Sequence, residues 1–387
     1  TIGKGVKMVE GGTYKHLTTE EKKMFYGKSA FPALPEIIAE EKPDIVVVGW
    51  PYFLQVFFQP ALRKAMKSCN AKLVMKYKRA MVPMEKPAEG LAYAEEYEKK
   101  PYLTLGQLST ANPMHDEGMR LLSKGTGFYL RQWITARIRK YCYAQAAGTL
   151  NYSTAAYDIL PSYGVKKEQI HVTYNSTDTE ALLKEKESVL ASPSILPPCD
   201  RRLLHIGRLV KWKRVDLLIE AFRKVAADYP EAELVIVGDG PELDNLRQQA
   251  NDLQLADSIR FIGAVYDPKT LGAYMNESSI YVLAGMGGLS INDAMTYGMP
   301  VLCAVCDSTP RDLVMEGKNG YFFKDGDADS LADRIREMFE SPERCKEMGK
   351  ESERMIRENI NMETVSERYL KAFQEILRLT HSCDSDN

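Results

Sequence analysis

A chain of 387 residues, 44% hydrophobic and 27% charged, has the make-up of a globular protein of about two domains and excludes a disordered or fibrous one. Its most apolar stretch, Ile45 to Phe58, holds Gly, Pro and Gln, is too short for a bilayer span and lacks the flanks of a signal peptide; seven cysteines without framework spacing fit a reducing compartment, so a cytoplasmic protein is expected. The net charge of −2 divides into +7 through Glu180 and −9 beyond it, so the front half either suits an anionic partner (a phosphorylated lipid, a membrane surface, a nucleic acid) or is an unevenly solvated surface.

In chain order, KPDIVVVGW (42–50) and AKLVMKY (71–77) read as buried strands with a helix between them. Between the two strands, Trp50, Tyr52, Phe53, Phe57 and Phe58 either pack a core or line an acceptor or lipid groove. Lys76, Lys78 and Arg79 gather at the end of the second strand, where they would meet an acceptor phosphate or simply solvent. From Arg79 to Thr126 no period holds and Pro, Gly and acidic residues abound, which predicts loops or a lid; His115 lies here as a candidate cleft histidine. RQWITARIRKYCYAQAA predicts a helix, GTLNYST a strand and Ala155–Tyr163 a helix, and QIHVTYNSTD closes a domain over 1–187. The Pro- and Ser-rich run 188–200 reads as a linker.

Beyond the linker the pattern sharpens. LLHI, ELVIVG, IRFIG, SIYVL and PVLCAV are strand-like runs separated by helical ones, Val215 to Ala226 keeping an i, i+3, i+4 rhythm until Pro230. Alternating strands and helices predict a doubly wound parallel sheet over 201–365, with a closing helix and tail over 366–387 expected to pack back on the first domain. Two α/β domains joined in this way predict a cleft faced by the carboxyl ends of the strands. Cys303 and Cys306 form a CxxC inside a strand-like run, where burial rather than redox chemistry is expected.

Two stretches could carry chemistry. Gly207, Arg208 and Lys213 follow the first strand of the second domain, where a guanidinium fork and an ammonium can meet a diphosphate, although basic residues also crowd the starts of exposed helices. AGMGGLSINDAM (284–295) follows another strand and opens a helix, so its backbone N–H groups can face an anion. Ser290 and Asp293 have the spacing of a capping box, with Ser290 as N-cap. No His, Cys and Asp set has metal-ligand spacing, and no nucleic-acid-binding module is recognisable.

GRLVKWKRVDLLIEAF, ELVIVGDGPE, IRFIGAV, AGMGGLSINDAMTYGMPVL and GYFF, taken in order, resemble the donor half of a retaining glycosyltransferase of family four. KPDIVVVGW, LNYSTAAYDILPSYGV and VTYNSTDTE are similar to the front half more loosely. The resemblance implies a GT-B fold of two Rossmann-like domains. It also implies a nucleotide-sugar donor, UDP- or GDP-linked rather than ADP-linked, with no cofactor or obligatory metal, and a glycan or lipid-linked acceptor at the inner membrane face in cell-surface polysaccharide synthesis. Arg208 and Lys213 fall on the family's diphosphate-binding positions, Asp293 on the carboxylate that holds ribose, and Gly287, Gly288, Leu289 and Ser290 on its turn. Gly207 precedes that arginine, and Val265 and Tyr266 stand where the family meets the base.

The family's first glutamate, which touches the donor sugar, falls on Gly285; its first-domain histidine and glycine-rich loop are not evident. These departures motivate an alternative, a nucleotide-binding partner that has lost turnover; a GT-B relative of different reaction type, an epimerase, is a separate one.

Overall fold

The computed structural model describes residues 17, 19–25, 29–49, 52–77, 126–304 and 309–384. These form two compact units. One contains the described residues through Thr173 and returns from Glu367; the other runs from Tyr174 to Ser366.

The first unit opens with a short antiparallel ribbon, β1 (Lys22–Lys23) and β2 (Ser29–Ala30), followed by α1 (Leu34–Glu41). Its sheet is all-parallel in the order β3 (Ile45–Gly49), β4 (Lys72–Tyr77), β5 (Gly148–Asn151) and β6 (Ile170–Val172). The β-branched run IVVVG and the apolar centre of KLVMKY supply its two longest strands. Between β3 and β4 lie α2 (Phe53–Phe58) and α3 (Pro60–Ser68), the latter started by its proline. Gln55 is buried in α2, and its side-chain amide satisfies both the N–H and the C=O of Phe31 at 3.0 and 2.9 Å. α4 (Thr126–Ala144) leads to β5, and α5 (Ala156–Ile159) continues as a 3-10 turn through Tyr163.

The second unit begins with α6 (Thr179–Leu190), capped by the Asp178 carboxylate accepting from the Ala181 N–H. Alternation then gives β7 (Arg202–Ile206), α7 (Val215–Ala226), β8 (Glu233–Val237), α8 (Leu243–Asp252), β9 (Ile259–Gly263), α9 (Pro268–Asn276) and β10 (Ile280–Leu283). α10 (Ser290–Thr296), β11 (Val301–Ala304), α11 (Thr309–Leu313), β12 (Gly320–Phe323), α12 (Ala328–Phe339) and α13 (Pro342–Asn359) complete it. All six strands are parallel, in the order β12-β11-β10-β7-β8-β9. Apolar cores cover both faces of this sheet, so its strands are buried almost throughout. The winding reverses between β7 and β10, the point at which doubly wound sheets open a crevice beyond their carboxyl ends.

The run expected to be a linker is pinned to this unit: the Ile195 and Leu196 N–H groups donate to the Glu277 carboxylate at 2.9 and 2.7 Å. α14 (Met362–Asp384) joins the first unit from Glu367 on. Ala372 and Ile376 pack with Val74 and Leu150, and Ile376 lies against Gly148, where a Cβ would stand only 2.7 Å from it.

Candidate active site

The corner beyond β7 is built from backbone first. Gly207 N–H donates to the Val237 carbonyl at 3.0 Å and Leu209 N–H to the Asp239 carbonyl at 2.9 Å, lacing the loop after β7 to the loop after β8. The approach is close enough that a Cβ on Gly238 would overlap the Gly207 oxygen, and one on Gly240 the Leu209 oxygen. These two glycines are structural requirements of the corner that spacing alone did not single out.

Residues Lys211–Lys213 then form a 3-10 turn, and Arg214, at φ +53°, starts α7. The turn presents Lys213 to the glycine run after β10, where its Nζ donates to the carbonyls of Met286 and Gly287, each at 2.9 Å. Met286 N–H returns a bond to the Trp212 carbonyl at 2.9 Å. Two segments more than 70 residues apart are thus buttoned together at the switch point. Gly285 sits inside the button: a Cβ there would overlap the Trp212 carbonyl and the Lys213 backbone. The position that holds a glutamate in the resembled family has no room for any side chain in this backbone.

Beneath the corner lies His205, fully buried. Its Nδ1 is 3.0 Å from the Val282 carbonyl, an acceptor, which places the ring proton on Nδ1. Nε2 has no partner. It lies 3.4 Å from where a Gly207 Cβ would be, and the Lys213 Cε is 3.8 Å from the same point. Burial pushes the imidazole down to about 4; the Val282 bond partly opposes this and the Lys213 charge adds to it. Sequence reasoning passed over His205, whose signal was a lone polar residue inside an apolar strand.

Helix α10 corrects one expectation. Ser290 is not the N-cap: Leu289 occupies that position and no side chain caps the helix. Instead the Ser290 Oγ accepts from the Tyr281 hydroxyl at 2.7 Å, with the Ile206 carbonyl 3.4 Å from the same hydroxyl. Tyr281 therefore ties the end of β7 to the start of α10.

Asp293 follows on the first turn of α10. Burial pushes its carboxyl up to about 6, and the Thr177 hydroxyl offsets only part of that shift. Its Oδ1 is buried without a hydrogen-bond partner. Thr177 comes from the YNSTD segment, which Asn292 anchors by donating to the Asn175 carbonyl at 3.2 Å. An uncompensated buried carboxylate oxygen costs on the order of 1–3 kcal/mol, which a hydroxyl donor on a ligand would recover.

The remaining expected residues divide. Gly287 and Gly288 are half-buried beside Lys213, Nζ lying 3.1 Å from where a Gly288 Cβ would be. Leu289 and Arg208 are exposed. Val265 packs into the core beyond β9, whereas Tyr266 is 84% exposed. In the first unit, Lys76 is half-buried between two aromatic rings, its Nζ 5.4 Å from the Tyr152 centroid and 5.0 Å from that of Tyr369. Burial works to lower its pKa, but hydrogen bonding to Tyr369 and the pull of Tyr152 outweigh it, and the net shift is upward. Lys76 thereby fastens α14 to the sheet. Lys78, Arg79 and His115 lie outside the described residues, as do Trp50 and Cys306; Cys303 is buried in β11.

Two parallel-sheet Rossmann-like units, the second carrying its polar corner at the switch point, define a GT-B protein. Residues 193–355 match the family profile described as Glycosyl transferases group 1. Over 211 residues the chain is 25% identical to N-acetyl-alpha-D-glucosaminyl L-malate synthase of Bacillus anthracis, covering 54% of this chain and 55% of that one. It is 28% identical over 170 residues to poly(ribitol-phosphate) alpha-N-acetylglucosaminyltransferase of Staphylococcus aureus, covering 44% of this chain and 34% of that one. The chain thus spans about half, or less, of the length of these relatives. Among solved structures, Anabaena Alr3699/HepE in complex with UDP superposes with a TM-score of 0.61 at 17% identity, over 89% of this chain and 82% of that one. No helix among the described residues is long and apolar enough to cross a membrane.

Proposed function

We propose that this protein transfers a sugar, with retention of anomeric configuration, from a nucleotide-diphosphate-sugar to a glycan or lipid-linked acceptor in cell-surface polysaccharide synthesis. The observation that carries this reading is one corner holding opposite demands: the Lys213 ammonium beside a glycine turn, and an unpartnered carboxylate oxygen on Asp293. A ligand that is anionic at one end and rich in hydroxyls at the other meets both. A nucleoside diphosphate does so, with its phosphates toward Arg208 and Lys213 and its ribose toward Asp293. The relatives named above act on N-acetylglucosaminyl groups and on a phosphate-rich polymer, and the Anabaena structure holds UDP, which favours UDP over GDP or ADP.

Cleavage of the bond from the anomeric carbon to phosphate leaves extra negative charge on the diphosphate. Arg208, Lys213 and the N–H groups of the 287–289 turn stabilise that charge as it develops. Lys213 serves the Met286 and Gly287 carbonyls; a diphosphate competes for the same ammonium. Gly285 favours a second reading, a partner that binds the nucleotide without turnover, because no side chain can stand there to hold the donor sugar.

UDP release from UDP-N-acetylglucosamine and UDP-glucose, measured with and without polysaccharide acceptors, separates the two. Turnover that falls ~10-fold or more in both Arg208→Ala and Lys213→Ala supports transfer. Turnover unchanged in both variants contradicts it, and nucleotide binding without turnover in the unmodified protein supports the partner reading.

A further inference from the structure

The first unit carries a surface that the transfer chemistry does not use. The sequence of α4, TGFYLRQWITARIRKYCYA, contains no acidic residue and four basic ones, Arg131, Arg137, Arg139 and Lys140. One side of the helix is buried in the unit: Cys142 and Tyr143 are core, with Ala136 and Ile138 packed against them. The other side exposes Trp133, Ile134, Arg137, Lys140 and Tyr141, at helical spacing. Trp133 is 50% exposed and Ile134 43%. The Arg137 guanidinium lies 4.6 Å from the Trp133 ring centroid, so cation and indole form one amphipathic tip. Off the helix, Tyr141 meets Phe57 edge to face at 5.1 Å, Phe57 meets Phe58 at 4.9 Å, and Phe58 meets Phe25 at 5.1 Å; Phe57 and Phe58 are themselves half-buried against the core and link the exposed ends of the band. Phe25 ends the band at 82% exposure.

Aromatic and aliphatic tips interleaved with cations, on a helix free of acidic residues, form the chemistry of a membrane-water interface. Trp and Tyr settle at the headgroup level, and Arg and Lys pair with anionic lipid. A nucleic acid would meet the cations but leave Ile134 and Phe25 without a role; a nucleotide-sugar is too small for a band of this extent. The charge of the front half is complementary to an acidic leaflet, and the back half, at −9, is repelled by one.

We propose that the exposed face of α4, continued through Tyr141, Phe57, Phe58 and Phe25, docks peripherally on a membrane surface bearing anionic headgroups. This deepens the reading of a lipid-linked acceptor, yet it stands or falls on partitioning alone.

The test is co-sedimentation of the full chain with vesicles of phosphatidylglycerol and phosphatidylcholine, and with vesicles of phosphatidylcholine only. The expected result is binding to the first and not the second, weakened by salt, with partition reduced ~10-fold or more by the double substitution Arg137→Glu/Lys140→Glu. Trp133→Ser/Ile134→Ser and, independently, Phe25→Ser are expected to release the protein from the vesicles, and Phe25→Ser to do so without lowering its melting temperature, since that side chain is 82% exposed. Failure to bind the anionic vesicles, equal binding by the charge-reversed variant, or a dimer in solution that Trp133→Ser dissociates would each overturn the proposal. Sugar transfer measured on a water-soluble acceptor is untouched by any of these outcomes, so failure here leaves the transfer reading intact.

Discussion

Asp293 and His205 sit a few residues from the same corner and respond to pH in opposite senses. The Asp293 carboxyl is held above its ordinary value by burial, so the folded state binds its proton more tightly than the unfolded chain does. Its contribution is complete below the unfolded carboxyl range and is lost as pH rises through about 6. His205 is held down to about 4, so its contribution is present above the unfolded imidazole value and is lost as pH falls through about 4. Asp293→Asn is therefore expected to raise the melting temperature of the unliganded protein at pH 7.5 by a few degrees, while weakening its stabilisation by UDP. Thermal unfolding with and without UDP checks both halves. Gly285 gives a second prediction at this scale. Gly285→Ala forces a methyl group against the Trp212 carbonyl and the Lys213 backbone, and is expected to cost about 1–3 kcal/mol in denaturant unfolding. Gly285→Glu, which restores the family's residue, is expected to lower turnover rather than raise it.

At the scale of elements, β7 to β11 of the second sheet were legible because each is a short apolar run and the helix after β7 keeps its rhythm up to the stop at Pro230; β12, GYFF, has no β-branched residue and was not read as a strand. The corner was legible in part. Lys213 belongs to a recognisable block, but what ties it to the glycine run is its ammonium on the Met286 and Gly287 carbonyls, and the glycines at 238, 240 and 285 permit the close approach of the loops. Such approaches have no periodicity and leave no trace in composition. The capping-box spacing misled for a related reason, since the Tyr281 hydroxyl, donating to Ser290 Oγ, had no representation in the local sequence. Lys76 likewise looked like a surface cation until Tyr369 of α14, almost 300 residues on, was brought over it. α14 yields its own prediction. Ile376 is fully buried and packs with Val74 and Leu150, so Ile376→Ala is expected to destabilise the first unit by about 2–5 kcal/mol. The readout is the unfolding transition of that unit, with UDP stabilisation of the second unit retained.

Over the whole molecule, charge and chemistry are divided between the units: the basic front half carries the aromatic-cationic face of α4, and the acidic back half carries the polar corner at the reversal point of its sheet. The central claim is that this corner binds the diphosphate and ribose of a nucleotide. It is tested most directly by thermal unfolding of the full chain in UDP, GDP and ADP, with Lys213→Ala and Asp293→Asn alongside. Saturation at ~100 times the dissociation constant stabilises by about 2.7 kcal/mol, a shift of several degrees in a protein of this size. The account predicts that shift for UDP in the unmodified chain and most of it lost in each variant. An absence of shift with every nucleotide, or a shift that both variants keep in full, would contradict it.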